Sequence, residues 1–207
     1  MYTPVAFVED DPVGIGAFLV EHPMAQLVTM TEAGLVATPM PMLYEPTADG
    51  PGSLVGHVAR ANRQWTEAVA TVEGLAIFTG ANAYISPNWY PAKAEHGKVV
   101  PTWNYETVHV RGVFVVHDDI EWKRALVTRL TQRHESQFDT PWAVEDAPVD
   151  YIESMLKAIV GVELQITSIQ AKRKLSQNRS AEDIDGTISG LTAVGGPSTK
   201  VAEAMKS

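Results

Sequence analysis

Hydrophobic residues recur with two different periods along this chain, and the switches between them mark its elements. Val13, Ala17 and Val20 share one side of a stretch that opens with Asp11 and Pro12. An N-cap carboxylate followed by proline in the first turn predicts a short helix to about Glu21, ended by Pro23. The period then falls toward two. Ala25–Met30 and Leu35–Met42 are β-rich runs joined by Thr31, Glu32, Ala33 and Gly34, which predicts a hairpin. Pro39 and Pro41 put the far end of the second run at a sheet edge. A polar loop from Glu45 to Ser53 leads to a strand at Leu54–Ala59, then to a short helix with its first turn at Ala61–Arg63. Leu75–Thr79 reads as a strand ending at Gly80, and a second strand starts after Pro101 with Thr102, Trp103, Asn104, Tyr105 and His109.

The helical period returns at Ile120, where Asp118 or Asp119 supplies the cap. Trp122, Leu126 and Leu130 lie four apart with Val127 beside them, predicting a helix to about Glu135. Pro148 opens a second helix with Tyr151, Ile152, Met155, Leu156 and Ile159 as its stripe; Gly161 closes it, and Val162–Ile169 alternates as a strand. Lys172–Arg179 reads as a basic, polar connection. Ser180 and Asp183 resemble a capping box for a helix to about Leu191. Gly195, Gly196, Pro197 and Ser198 break the chain before a terminal helix or frayed end at Thr199–Ser207. About six strands in antiparallel order, interrupted by two or three helices, predict a mainly β, α+β protein: a β-barrel with helical decoration. The barrel is expected over residues 1–171 and a helical C-terminal extension over 172–207.

Composition narrows the chemistry. The chain has 207 residues, enough to bury a real core, and no cysteine, which excludes disulfides and thiolate metal sites and fits a reducing cytoplasm. The N-terminus lacks a basic and apolar leader pattern, and no apolar run approaches the ~20 residues of a membrane span, so a cytoplasmic location is expected. A formal charge of −9 repels nucleic acid on average, so DNA binding would need a local basic face. The histidines show no metal-ligand spacing, and no Ser/His/Asp set or nucleophile elbow stands out, so no catalytic or metal residue is assigned.

Three clusters remain as candidate binding groups. His57, Arg60, Asn62 and Arg63 crowd a strand-to-helix junction, where free N–H groups and guanidinium forks suit an anion such as phosphate. Tyr84, Ser86, Trp89, Thr102, Trp103 and Asn104 flank a long ring-bearing loop between Gly80 and Pro101 and suit a flat heterocycle with polar edges. The plainer reading is that Trp89, Tyr90 and Trp103 plug a barrel end. Lys174, Ser176 and Gln177 lie in the polar run from Lys174 to Arg179, which is either a solvated connection or a segment folded over a ligand or partner subunit. Lys172, Arg173, Lys174 and Arg179 form the most basic window, but no helix-turn-helix or zinc-finger spacing accompanies it.

Motifs across nearly the whole chain resemble the PaiB-like family described as FMN-binding negative transcriptional regulators. They include Met1 and Tyr2 with Pro4 and Phe7, then Asp10, Asp11 and Pro12, and Leu27, Val28, Thr29 with Gly34, Leu35, Ala37 and Thr38. Gly56, His57, Ala59, Arg60, Ala61 and Asn62 follow, with Gln64 and Trp65. Ala83 to Pro87 with Trp89 and Tyr90, Pro101 to Tyr105 with Val108 and His109, and Lys174 to Asn178 complete the set. The resemblance implies an antiparallel FMN-binding split β-barrel and a homodimer with flavin in clefts between the two barrels. It implies the FMN phosphate near His57, Arg60 and Asn62, the ring near Tyr84, Ser86 and Thr102–Asn104, and the Lys174–Asn178 segment supplied from the tail. Pro39 stands where the family tends to have histidine, and Arg63 and Ala81 where it tends to have proline. The family implies a flavin-linked regulator; split-barrel relatives also imply a flavin-dependent oxidoreductase or a haem-handling protein. A catalytic dyad is not required for the second, since the cofactor itself carries the electrons.

Overall fold

The computed structural model describes residues 1–206. Its strands are Val8–Glu9 (β1), Met24–Thr31 (β2), Gly34–Pro41 (β3), Leu43–Thr47 (β4), Gly50–Ala59 (β5), Gly74–Ile85 (β6), Thr102–His117 (β7) and Ile159–Lys174 (β8). Its helices are Pro12–Glu21 (α1), Gln64–Glu67 (α2), Ala92–His96 (α3), Ile120–Glu135 (α4), Val149–Lys157 (α5), Ala181–Val194 (α6) and Pro197–Ala204 (α7). The strands form one sheet in the order β3-β2-β6-β7-β8-β5-β4, with β1 added to β8. The β1–β8, β2–β3, β4–β5 and β5–β8 pairings are antiparallel. The predicted terminal helix is α7; Ser207 lies outside the described residues.

Glycine explains the largest departures from the expected elements. The strand predicted to end at Gly80 continues to Ile85. A Cβ at Gly80 would lie 2.6 Å from Cε2 of Phe18, so the glycine admits a ring beside an unbroken strand. Gly161 likewise lies inside β8, where a Cβ would meet Trp122 Cζ3 at 2.1 Å; the preceding helix has already ended at Lys157. Both are close-approach glycines of strands. The polar Glu45–Ser53 loop is largely the β4–β5 hairpin, with a register shift between Glu45 and Thr47. Lys172, Arg173 and Lys174 are the end of β8 and not a connection, because β1 pairs there: Val8 opposite Lys172, Glu9 opposite Ala171. The short helix begins after Arg63, at Gln64. The long loop between Gly80 and Pro101 shrinks to a 3-10 turn at Pro87–Trp89, α3 and their connections.

Two compact units are distinguished, and β6, β7 and β8 each contribute residues to both. One unit spans Leu19–Ile77 and Val110–Ile169. Here Asp119 caps α4 by accepting from the Trp122 N–H at 2.8 Å. That fixes the helix so Leu126 and Leu130 bury against Val55, with Leu43 and Trp122 at the margin. Full burial of such leucines stabilises by ~1.5–3 kcal/mol each. Val144, Ile152 and Leu156 form a second cluster, with Val127 and Ile159 packed on it.

The other unit spans Met1–Phe18, Phe78–His109 and Gln170–Ser207. Its core is Ala83, Ile85, Tyr90, Leu175, Leu191, Val201 and Ala202, so α6 and α7 close it. Ser180 caps α6 by accepting from the Asp183 N–H at 3.3 Å. Gly186 and Gly190, one turn apart on α6, make a groove for Trp89: a Cβ at Gly190 would meet the indole at 2.3 Å, and one at Gly186 would meet the Trp89 carbonyl oxygen at 2.1 Å.

Candidate functional site

The first predicted cluster lies in the Leu19–Ile77/Val110–Ile169 unit, and most of its polar groups already have partners. Arg60 follows β5, and its guanidinium donates to the Lys157 carbonyl at 2.7 Å, to both carboxylate oxygens of Asp118, and to the Ile159 carbonyl at 3.3 Å. Asp118 also accepts from the Lys123 ammonium at 2.8 Å, and that lysine's side chain is only 3% exposed. Hydrogen bonds from Arg60, then from Lys123, hold the Asp118 carboxyl well below the usual carboxylate range. Asn62 donates to Thr38 Oγ1 and accepts from the Gln64 N–H, both at 2.9 Å, so its amide is held between β3 and the start of α2. Arg63 is solvent-exposed and ion-paired with Glu67 at 2.7 Å. His57 leaves Nδ1 buried without a partner among the described residues, and burial lowers its pKa. Asp118 and Lys123 were missing from the predicted cluster; they are 58 or more residues from Arg60, beyond the reach of any local spacing.

The second and third clusters come together in the other unit. Lys174, at the end of β8, donates to Thr102 Oγ1 at 2.6 Å and to the Trp103 carbonyl at the start of β7. Two residues on, Ser176 adopts a left-handed backbone at φ 68° and is buried. Its hydroxyl exchanges hydrogen bonds of 3.0 and 3.2 Å with the buried amide of Asn104. Gln177 braces the same turn, accepting from the Leu175 N–H and donating to the Arg173 carbonyl. Asn104, Ser176 and Gln177 therefore shape the turn that aims Lys174. Ser86 caps the 3-10 turn by accepting from the Asn88 N–H at 3.2 Å, and Trp89 is the indole seated on α6.

Tyr84 and Trp103 are different. They stand edge to face, centroids 6.3 Å apart at 76°, and are 48% and 54% exposed. Two large rings left about half in water beside a lysine form a stacking edge for a planar ligand. Lys174 has three ammonium protons and two protein acceptors, leaving one to give. Burial first, then the charges of Lys172 and Arg179, lowers its pKa. No described carboxylate is ion-paired with any of these three cations. Such a set suits a flavin mononucleotide: rings for the isoalloxazine, cations for its electron-rich edge and phosphate.

The sheet order and antiparallel pairings are those of a flavin-binding split barrel. The fold is shared with a flavocytochrome, Anf3, from Azotobacter vinelandii (TM-score 0.55, 14% identity, 86% of this chain and 74% of that one). It is shared also with an FAD and heme binding protein from Mycobacterium smegmatis (TM-score 0.56, 16% identity, 91% and 80%). The family model described as "Putative FMN-binding domain" matches residues 1–168. Bacillus subtilis (strain 168) "Protease synthase and sporulation protein PAI 2" is 33% identical over 207 residues, covering 100% of this chain and 97% of that protein. The chain belongs to this PaiB-like FMN-binding family, and FMN is its cofactor.

Proposed function

We propose that the chain is a homodimeric regulatory flavoprotein of the PaiB type, in which FMN lies with its ring against the Tyr84–Trp103 edge. The observation that carries this reading is that pair of half-exposed rings beside Lys174, with Thr102 and the braced Ser176–Gln177 turn fixing the lysine. Dimerisation is supported by the outer face of the β2–β3 hairpin. Met24, Gln26, Val28 and Met30 lie opposite Pro41, Pro39, Ala37 and Leu35, one polar side chain among eight. Leu35 is 70% exposed and Met24 57%, so a second copy would remove real apolar area from water. Pro39 is part of that face.

Regulation by direct operator contact has less support. The chain carries −9, α6 is acidic in its first turn, and α7 buries Val201 and Ala202. A flavin-dependent oxidoreductase is the second reading, because the exposure of Tyr84 and Trp103 leaves room for a small acceptor at the ring. The absorbance spectrum of the purified protein, followed by FMN titration and sizing by light scattering, tests the proposal. Flavin bands in a dimer support it; a monomer indifferent to FMN, or a Soret band, sinks it. Nicotinamide oxidation by the loaded protein selects the second reading, and a mobility shift of operator DNA that survives competitor selects direct repression.

A further inference from the structure

The cation group at the end of β8 goes further than a ring contact. Lys172 is 8% exposed, yet its ammonium has only the Tyr2 carbonyl at 3.2 Å and the Tyr105 ring face at 5.3 Å. A buried ammonium of this kind is expensive to leave without an anion nearby. Lys172 and Lys174 are two apart on one strand, so both project from the same face of β8. Arg179, from the turn that follows, stacks over the Tyr90 ring at 4.9 Å, and its guanidinium N–H groups have no hydrogen-bond acceptor among the described residues. Three cations thus gather in a chain of net charge −9, with no described carboxylate ion-paired to any of them. Arg173, on the opposite face of the strand, bonds Glu106 at 2.8 Å and lies 3.6 Å from Glu9, so the carboxylates of this neighbourhood are drawn to the other side.

At the junction after β5 the balance is reversed. Arg60 is enclosed by Asp118 and two carbonyls, Arg63 is paired with Glu67, and burial of His57 disfavours its charged form.

We infer that Lys172, Lys174 and Arg179 form the subsite for a phosphate monoester dianion, so that the phosphate of FMN binds at the end of β8 and not at the junction that carries Arg60. The inference rests on the flavin reading above and names its anion subsite. Phosphate supplies the acceptors that the third Lys174 proton and the Arg179 fork lack, and its two negative charges offset two of the three positive ones.

The experiment compares FMN with riboflavin, which has the same ring and no phosphate, by isothermal titration with parent, Arg179→Gln and Lys174→Met proteins. Inorganic phosphate is the competitor. The parent should prefer FMN by at least ~tenfold, the scale of one charge-assisted contact. Phosphate should weaken FMN but not riboflavin. Arg179→Gln should lower the preference several-fold with riboflavin affinity unchanged, and Lys174→Met should lower it further. Arg179 is partly exposed and lies outside β8, so that variant keeps the test open if Lys174→Met misfolds. Equal loss for both flavins in Arg179→Gln would overturn the subsite and give the residue a packing role. Loss of the FMN preference in Arg63→Gln would also overturn it. A parent that binds neither flavin refutes the flavin reading itself, which is a separate result.

Discussion

Replacing Asp118 with alanine tests whether the Arg60 corner is a structural ion cluster. The substitution leaves the Lys123 ammonium, 3% exposed, with only a 3.4 Å contact to the Ile159 carbonyl. Removing one partner of a fully buried ion pair costs ~3–5 kcal/mol, because the other charge is left unsolvated. Asp118 is itself 46% exposed, so water reaches the vacated place and the loss should fall to about 2–3 kcal/mol. Lys123→Met should cost under ~1 kcal/mol, since it removes the buried charge and leaves Asp118 on Arg60. The double variant, Asp118→Ala with Lys123→Met, should then recover at least ~1 kcal/mol relative to Asp118→Ala alone, a coupling of normal size for contacting residues. Urea unfolding at pH 7, with slopes compared across the four proteins, gives each value. Asp118→Ala within ~0.5 kcal/mol of the parent, or a double variant no more stable than Asp118→Ala, would refute the reasoning.

Acid should expose the same cluster. The folded-state pKa of Asp118 lies below its unfolded value, so its contribution is present above the unfolded value and lost as pH falls through the folded one. The stability difference between parent and Asp118→Asn should stay level from neutral pH to about 5 and shrink below about 4, followed by thermal melts across pH. Gly186→Ala should destabilise despite better helix propensity. The added Cβ falls 2.1 Å from a carbonyl that no rotamer can move. Overpacking costs ~1–3 kcal/mol against a gain of ~1, lowering the melting temperature by roughly 2–8 °C; Ser189→Ala, on the exposed side of α6, should not lower it. Trp103→Leu should weaken FMN and riboflavin alike by ~1 kcal/mol or more, measured by fluorescence titration. Leu35→Lys should halve the mass seen by light scattering while leaving unfolding of the chain within ~0.5 kcal/mol.

Much of the fold could be read from periodicity. The β2–β3 hairpin, α4 with its aspartate cap and the serine cap of α6 follow from side-chain chemistry within a few residues, which is local information. The errors share a cause. Gly80 and Gly161 look like stops, but each makes room for an aromatic ring brought from elsewhere in the chain: Phe18 and Trp122. Lys172–Lys174 looks like a solvated run because its partner, the two-residue β1, is too short to leave a pattern. At the site, the residue types could be recognised but their partners could not. Arg60 meets Asp118 across 58 positions and Lys174 meets Thr102 across 72. From the sequence, two arginines at a junction therefore read as an anion site, while the run from Lys174 to Arg179 stays open between a solvated connection and a segment folded over a ligand or partner.

The length of β8 has a practical corollary. The recognisable family region stops at residue 168, inside that strand. A protein trimmed there would keep the Arg60 corner but lose the segment from Gln170 to Lys174, and with it the docking edge for β1 and the lysine that meets Thr102. It would also strip the cover from Ile85 and Tyr90, exposing them to water. Anyone expressing residues 1–168 as a minimal unit should expect an insoluble, colourless product, with the missing tail as the reason.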